Sequence, residues 1–482
     1  MARAVFALAL ALAPGAWGVA AGRAPGRVLH RSRGAVRMAD GALVDWLRAS
    51  GATVSGVAQQ RDGLLELQRD ARPGEELVSV PDALHLSEAS LRANVVGSFL
   101  DGWPMAAGEH APLALALLHE SFLADASPWA GYIRALPPAG EGSLDVPLLW
   151  SDAEQAELSA STTLPVRALL AELAADYAWL SAGPFAQAPD LFPPHVYSPQ
   201  RYAWAHAVAL SRAVRLDGKL VLAPGVGDVA RSGSARGASA SAERRQPSAG
   251  GFSFFGGGGG AAKPGAAVLV AREGARPGAP LALEADLSPA ECLWAHGRLP
   301  VGRSGECELR LVVPPSDRLL ADKAEVLSQA GLSTSQLWTL RSGALEREEL
   351  LKYLRLVALR GGDAFILEPV FAADLWPQHL AAPFSRLNED EACGLGIELC
   401  TAAVTAMCGD AQADAAAAAA SDGSRSARMA ALRVGERAAL LDSMRWLEEE
   451  RALNGGKEYY QERRLRELNL NRPISDDEIV PA

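Results

Sequence analysis

The sequence predicts an α+β chain: small β-sheets broken by a helical insert, followed by an all-α region. Three observations predict it. Short apolar runs bounded by turn residues occur at Leu64–Leu67, Glu76–Val80, Lys219–Ala223, Ala267–Ala271 and Leu281–Glu284, and they read as strands. Between the second and third of these, Pro112–Leu123 and Arg201–Ser211 carry helical patterns. From about Pro315 onward the pattern changes to long helices. Runs of strands followed by runs of helices favour α+β or separate domains over an alternating parallel fold.

At 482 residues, with 49% hydrophobic content, the chain is long enough for two or three domains with real cores. A net charge of −11 excludes the basic surface that nucleic-acid binding normally needs. At the amino end, Val5–Ala13 is an apolar run behind Arg3, too short to cross a bilayer, and Gly15–Gly22 is rich in small residues. Arg23, Arg27, Arg31, Arg33 and Arg37 follow, with no acidic residue before Asp40. Residues 1–39 therefore read as a presequence. Its signal-like core and basic, acid-free second part resemble those of proteins sent to plastids of secondary origin, and secretion is the alternative. The five cysteines, all at or beyond Cys292, form no disulfide framework and fit a reducing compartment such as a plastid. No later segment reads as a membrane span, so the mature protein is expected to be soluble.

In chain order, Ala42–Ser50 has helical spacing with Leu43, Trp46 and Leu47 on one face. Arg72-Pro73-Gly74-Glu75 is the turn between the first two strand-like runs. The helical insert covers about 90–200 and holds Pro112–Leu123, the Ser127-Pro128-Trp129 turn with Tyr132, and Leu148-Leu149-Trp150 at the start of a long helical stretch. An aromatic-rich helix then runs into Ser211-Arg212, and the strand Lys219–Ala223 ends at Pro224. Residues 229–267 are rich in Gly, Ser, Ala and Arg and lack apolar periodicity, so they read as a disordered surface loop. The carboxyl region, 315–470, is expected to hold helices at Asp317–Ala330, Glu346–Arg360, Glu389–Met407 and Ser426–Leu453, with a loose tail at 471–482. Cys393, Cys400 and Cys408 sit at helical spacing without CxxC pairs or nearby histidines, so no metal site is expected. Gly256–Gly260 lacks the Gly-Lys-Ser/Thr end of a phosphate loop, and no GxSxG elbow occurs.

The segment RYAWAHAVALSRAVRLDGKLVLAPGVGD, Arg201–Asp228, resembles the centre of a SET domain of the Rubisco large-subunit lysine methyltransferase type. There a helix reading W-A-x-x-x-x-x-S-R precedes a strand reading L-V-P-x-x-D-x-x-N-H. Trp204, Ala205, Ser211, Arg212 and Pro224 match, and Asp228 comes one residue late. LVDWLRASGA, GEELVSVP, LALALLHE and SPWAGYIRALP are similar to further family segments in the same order, covering roughly 40–470 apart from the loop. The resemblance implies a SET-like domain at 40–314, with the helical insert inside it, and a helical substrate-binding-like domain at 315–470. It also implies S-adenosylmethionine as methyl donor and a protein lysine as acceptor, with Arg212 and Asp228 beside the substrate channel.

The same resemblance locates the departures. Arg231-Ser232 stands where the family has the donor-holding Asn-His pair, and no asparagine lies between Asn94 and Asn388. Asp62, Gly63 and Leu64 stand in the donor-binding glycine turn, with one glycine of two. No tyrosine lies between Tyr202 and Tyr353, so both family tyrosines are missing, and His296 takes the place of the second. As a catalytic candidate, His296 offers a polar nitrogen that titrates near neutral pH; alone, it reads more readily as a surface residue at a helix end. His206 and Glu284 are further candidates for the channel. Two functions follow as expectations: a SAM-dependent protein-lysine methyltransferase of the plastid, or a SET-like scaffold that binds a protein partner without methylating it.

Overall fold

The computed structural model describes residues 41–60, 63–139, 144–232, 238–247, 265–278, 281–284, 287–300, 305–341, 347–371, 374–407, 409–420 and 423–468. The expected presequence, the tail, Asp62, Cys408 and the glycine run 256–260 lie outside these residues.

Short strands dominate the first half because turn residues interrupt every apolar run. Strands β1 (Thr53–Val54), β4 (Glu76–Pro81), β8 (Ala230–Ser232), β9 (Ala240–Arg245), β10 (Ala266–Ala271) and β11 (Ala282–Glu284) form a six-stranded sheet of order β1-β4-β10-β9-β11-β8. Its centre is the antiparallel β4–β10 pair, with Val78 opposite Leu269 and Val80 opposite Ala267, all four buried. Its far edge is parallel, with Arg231 opposite Leu283 and Ser232 opposite Glu284. Two smaller units complete this half: the hairpin β2 (Val57–Gln59) with β3 (Leu65–Leu67), and a sheet of β5 (Leu86–Ser87), β7 (Lys219–Leu222) and β6 (Val214–Leu216). Between β5 and β6 lie the insert helices, among them Ala111–Leu123, Asp152–Ser161, Val166–Leu180 and Pro199–Arg212. This is the expected α+β arrangement.

One expectation is corrected. The stretch 229–267 is not a continuous disordered loop, because β8 and β9 lie within it and β10 begins at Ala266. The sequence of β9, ASAERR, has too little apolar periodicity to announce a strand. Its order comes from its neighbour: Ala240 to Arg245 pair with Ala271 to Ala266. Arg245 adds bonds to Glu76 at 2.9 Å and to Ser79 Oγ at 2.7 Å on β4.

The carboxyl region is helical, with Leu320–Gln329, Arg347–Ala358, Arg386–Ala406, Ala411–Ala420 and the 28-residue helix Arg425–Ala452. It also carries one strand, β13 (Ser335–Arg341), which pairs antiparallel with β12 (Glu306–Val312). Ser424 caps the long helix by accepting from Ala427 N at 3.1 Å. Among the described residues no single helix is long and apolar enough to cross a membrane, and no group of three or more His, Cys, Asp or Glu could hold a metal ion.

The long helix joins two cores. Its Met429 and Leu432 pack in the first-half core, whereas Ala439, Leu440 and Leu447 pack in the carboxyl core with Tyr353, Leu354 and Cys393. Between these contacts Glu436, 0% exposed, accepts hydrogen bonds from Thr163 N at 3.0 Å and Thr163 Oγ1 at 2.7 Å. Burial pushes its carboxyl from 4.5 up to about 7, assisted by Glu308 and opposed by the Thr163 bonds and Arg433. The folded protein thus holds this proton more tightly than the unfolded chain. The stability it confers is complete below about pH 4.5 and disappears as pH rises through 7, a change of about 3 kcal/mol. Denaturant titrations across that window should show this slope in the wild type and lack it in Glu436→Gln.

Candidate functional site

The site starts at the end of Pro199–Arg212. Ser198 accepts from Arg201 N at 3.3 Å and Pro199 occupies the first turn, where its missing N–H costs nothing. Tyr202, Trp204, Ala205, Val208 and Ala209 bury one side of the helix, and Trp204 Nε1 donates to the Pro137 carbonyl at 2.9 Å. This fixes Arg212 as the last helical residue, facing inward.

After the β6–β7 hairpin the chain turns at Ala223–Asp228 and brings Asp228 onto Arg212. The two form an ion pair, 3% and 1% exposed. The second Asp228 oxygen accepts from Gly225 N at 2.7 Å, and the Asp228 carbonyl accepts from Leu65 N at 2.8 Å. Arg212 Nη1 also reaches the Gly63 carbonyl at 3.4 Å. Gly227 is required by space, since a Cβ there would lie 1.8 Å from the Arg212 carbonyl oxygen. The predicted residues Arg212, Asp228, Gly63 and Leu64 are therefore brought together.

Arg231 on β8 belongs to the same assembly. Its guanidinium donates to the carbonyls of Val229 at 2.8 Å, Ala213 at 3.2 Å and Gly227 at 3.3 Å. Burial lowers it to about 10; Asp228 pulls upward and Arg212 downward. It remains a cation at neutral pH. Ser232 is buried beside it in the parallel edge.

His296 ends the helix Pro289–His296, which Ser288 and Glu291 start with a reciprocal capping box and Gly297 ends in a left-handed conformation. It is a helix-end residue but not a surface one. Its half-buried ring lies within electrostatic reach of Arg231, His110 and Arg212. Burial first, and then the Arg231 charge, hold it well below the usual imidazole range, so it is neutral at physiological pH. Of the other two candidates, Glu284 lies elsewhere, and His206 shares His110 as a neighbour. Glu284 is exposed and bound to Arg272 at 2.8 Å. His206 is buried against His110 and Tyr202, each ring centroid 6.3 Å away, and burial lowers it to about 3. Tyr132, read from the sequence only as part of the insert, is buried within electrostatic reach of Asp228 and Arg212, and desolvation raises its phenol well above 10. No local spacing links it to the turn.

Chemically, the site is a buried ion pair, a second guanidinium bound to carbonyls, and a neutral imidazole beside the end of a helix. The six-stranded sheet, insert and helical region define a SET-type fold with a helical carboxyl region. Comparison with known proteins agrees. Residues 314–440 match the family model described as Rubisco LSMT substrate-binding. The chain is 27% identical to a chloroplastic fructose-bisphosphate aldolase lysine N-methyltransferase of Arabidopsis thaliana, over 75% of this chain and 72% of the relative. It is 25% identical to a chloroplastic Rubisco large-subunit N-methyltransferase of Nicotiana tabacum, over 73% and 68%. The solved SET domain of LSMT bound to lysine and AdoHcy superimposes with a TM-score of 0.77 at 25% identity, covering 90% of this chain and 96% of that one. This chain is homologous to the Rubisco large-subunit and aldolase lysine N-methyltransferases, and shares the fold of the LSMT SET domain with a substrate-binding match in its carboxyl half.

Breaking the central pair leaves a buried charge without its partner, which typically costs about 3–5 kcal/mol. Asp228→Ala should lower the denaturation midpoint accordingly, and Gly227→Ala should also destabilise through its contact with the Arg212 carbonyl. Urea titration of both variants checks this.

Proposed function

We propose that this protein binds a protein partner through its SET-type channel and helical region without transferring a methyl group to it. The single observation behind this reading is Arg231. The family's donor is a sulfonium, a cation, and the position expected to hold it through Asn-His carries a guanidinium instead. That guanidinium is committed to the carbonyls of Gly227, Val229 and Ala213, and Gly63 in the expected donor turn already serves Arg212. Two like charges side by side repel, and among the described residues the carboxylate that acts on Arg231 is Asp228, already paired. These residues do not fit S-adenosylmethionine. Arg212 and Asp228, by contrast, keep the framework of the substrate side, and the match at 314–440 supplies a region that relatives devote to substrate binding. The chloroplastic location of both relatives supports a plastid protein as partner.

A second reading has its own observation. His296 is neutral and lies within electrostatic reach of Arg231 and Arg212. A neutral ring nitrogen there could orient a lysine amine, as methyl transfer by positioning and electrostatics requires. In that case the chain is an active protein-lysine methyltransferase with a rebuilt donor cleft.

Calorimetry and thermal shift with S-adenosylmethionine separate the two. The first reading expects no saturable heat and no shift. Ligand at a hundredfold excess over its dissociation constant would stabilise by about 2.7 kcal/mol; a shift of that order would overturn the first reading in favour of the second.

A further inference from the structure

We propose that the half-exposed rings of Phe365, Phe371, His379 and Tyr460 in the helical region bind an alkylammonium ion, the trimethylated side chain of a lysine on the partner protein. That the ammonium belongs to a partner rests on the partner-binding reading above; the site itself involves neither Arg231 nor His296.

Short segments bring the rings together. Phe365 lies in the 3-10 helix Gly361–Leu367, Phe371 ends the turn Pro369–Phe371, His379 ends the π-turn Leu375–His379, and Tyr460 starts the helix Tyr460–Glu467. Tyr460 N donates to the Phe384 carbonyl at 3.0 Å, and its ring stacks on the buried Phe384 with centroids 5.1 Å apart. The four proposed rings close a circuit. Phe365 to Phe371 is 5.8 Å, Phe371 to His379 5.9 Å, His379 to Tyr460 5.5 Å and Tyr460 to Phe365 6.0 Å. Neighbouring planes meet at 77°, 82°, 83° and 57°, so the rings face in different directions, as walls rather than a stack. The cluster also opens to solvent: Phe365 is 38% exposed, the adjoining Val370 is 78% exposed, and Phe371, His379 and Tyr460 are half-buried. A cation is attracted by any ring whose centroid lies within about 6 Å, and with centroids this close several rings act on one cation.

The charge around the rings suits a cation. From Gly361 to Ser385 the sequence carries Asp363, Glu368 and Asp374 and no lysine or arginine. Glu368 and Asp374 are exposed. The arginines that approach from the Tyr460 helix are engaged: Arg463 donates to the carbonyls of Glu458 at 2.8 Å and Pro383 at 2.9 Å, and Arg464 pairs with Glu467 at 3.2 Å. Burial first, with Arg463 and Arg464 against Asp374 and Glu467, holds His379 below the usual imidazole range, so at neutral pH it offers an aromatic ring without a competing charge. Aromatic faces select among ammonium ions. An unmethylated lysine ammonium is compact and strongly hydrated, and its N–H groups lose water on meeting a ring. A trimethylated one has no N–H to desolvate and spreads its charge over methyl groups that pack on the ring faces.

The test is calorimetric titration of the full chain with three short capped peptides that differ at one side chain: trimethyllysine, unmethylated lysine, and the tert-butyl isostere of trimethyllysine, which keeps the shape and loses the charge. The trimethyllysine peptide should bind about tenfold tighter than either of the others. Phe371→Leu should weaken it about fivefold, and Asp374→Asn, at an exposed position, should weaken it without disturbing the fold. No saturable heat with the trimethyllysine peptide would overturn the proposal. So would equal binding of the isostere, which would make the cluster a merely apolar surface, or equal binding of unmethylated lysine. If Phe371→Leu fails to fold, undiminished binding in Asp374→Asn overturns it by itself. Failure here is distinguishable from failure of the partner-binding reading. S-adenosylmethionine heat that survives Phe371→Leu belongs to the SET-type half and bears on that reading alone, while the peptide series bears on this site alone.

Discussion

The Arg212–Asp228 ion pair is the constraint on which the rest of the site depends. Two charges almost out of water carry a desolvation penalty of several kcal/mol each, which their attraction offsets only with good geometry and further hydrogen bonds. Here Gly225 N–H satisfies the second carboxylate oxygen and the Gly63 carbonyl takes part of the guanidinium. Those demands fix the Ala223–Asp228 turn, exclude a side chain at Gly227 and tie the turn to β3 through Leu65. A helix, a turn and a hairpin from distant parts of the chain thus meet at one pair of side chains.

Arg231 is placed by the same turn, because its three acceptors are carbonyls that the pair has positioned. Its charge then helps to keep His296 neutral. The surroundings of Arg231 are consequently cationic, with the uncharged His296 ring within its electrostatic reach. On the proposed reading this polarity suits a framework that receives a protein segment better than one that must hold a sulfonium. The long helix adds the second level of organisation. It is anchored in both cores, joined to the insert by the Thr163–Glu436 bonds, and clasped to the Gly297 corner by Arg428.

Where order is local, the sequence was legible. The Pro199–Arg212 helix carries its own cap and buried face, and the β7 strand and the long carboxyl helices fall within a few residues of their expected bounds. Arg212 and Asp228 could be named because they flank a recognisable helix-to-strand pattern. Strands β8 and β9 were illegible because polar and small residues gain their order from cross-strand partners rather than from periodicity. The setting of His296 was hidden for a related reason: Arg231 and Arg212, whose charges reach it, lie far away along the chain. Tyr132 and Arg428 gave no local signal, since each acquires its place only when separate segments pack.

Methyl transfer itself is the most direct measure of the central claim. The purified protein would be incubated with S-adenosylmethionine labelled in its methyl group and a plastid extract stripped of its own methyl donors. The account predicts no radiolabel on any protein above that seen without this chain, while a relative of known activity labels its target in parallel. Label appearing on a lysine only when this chain is present would contradict it.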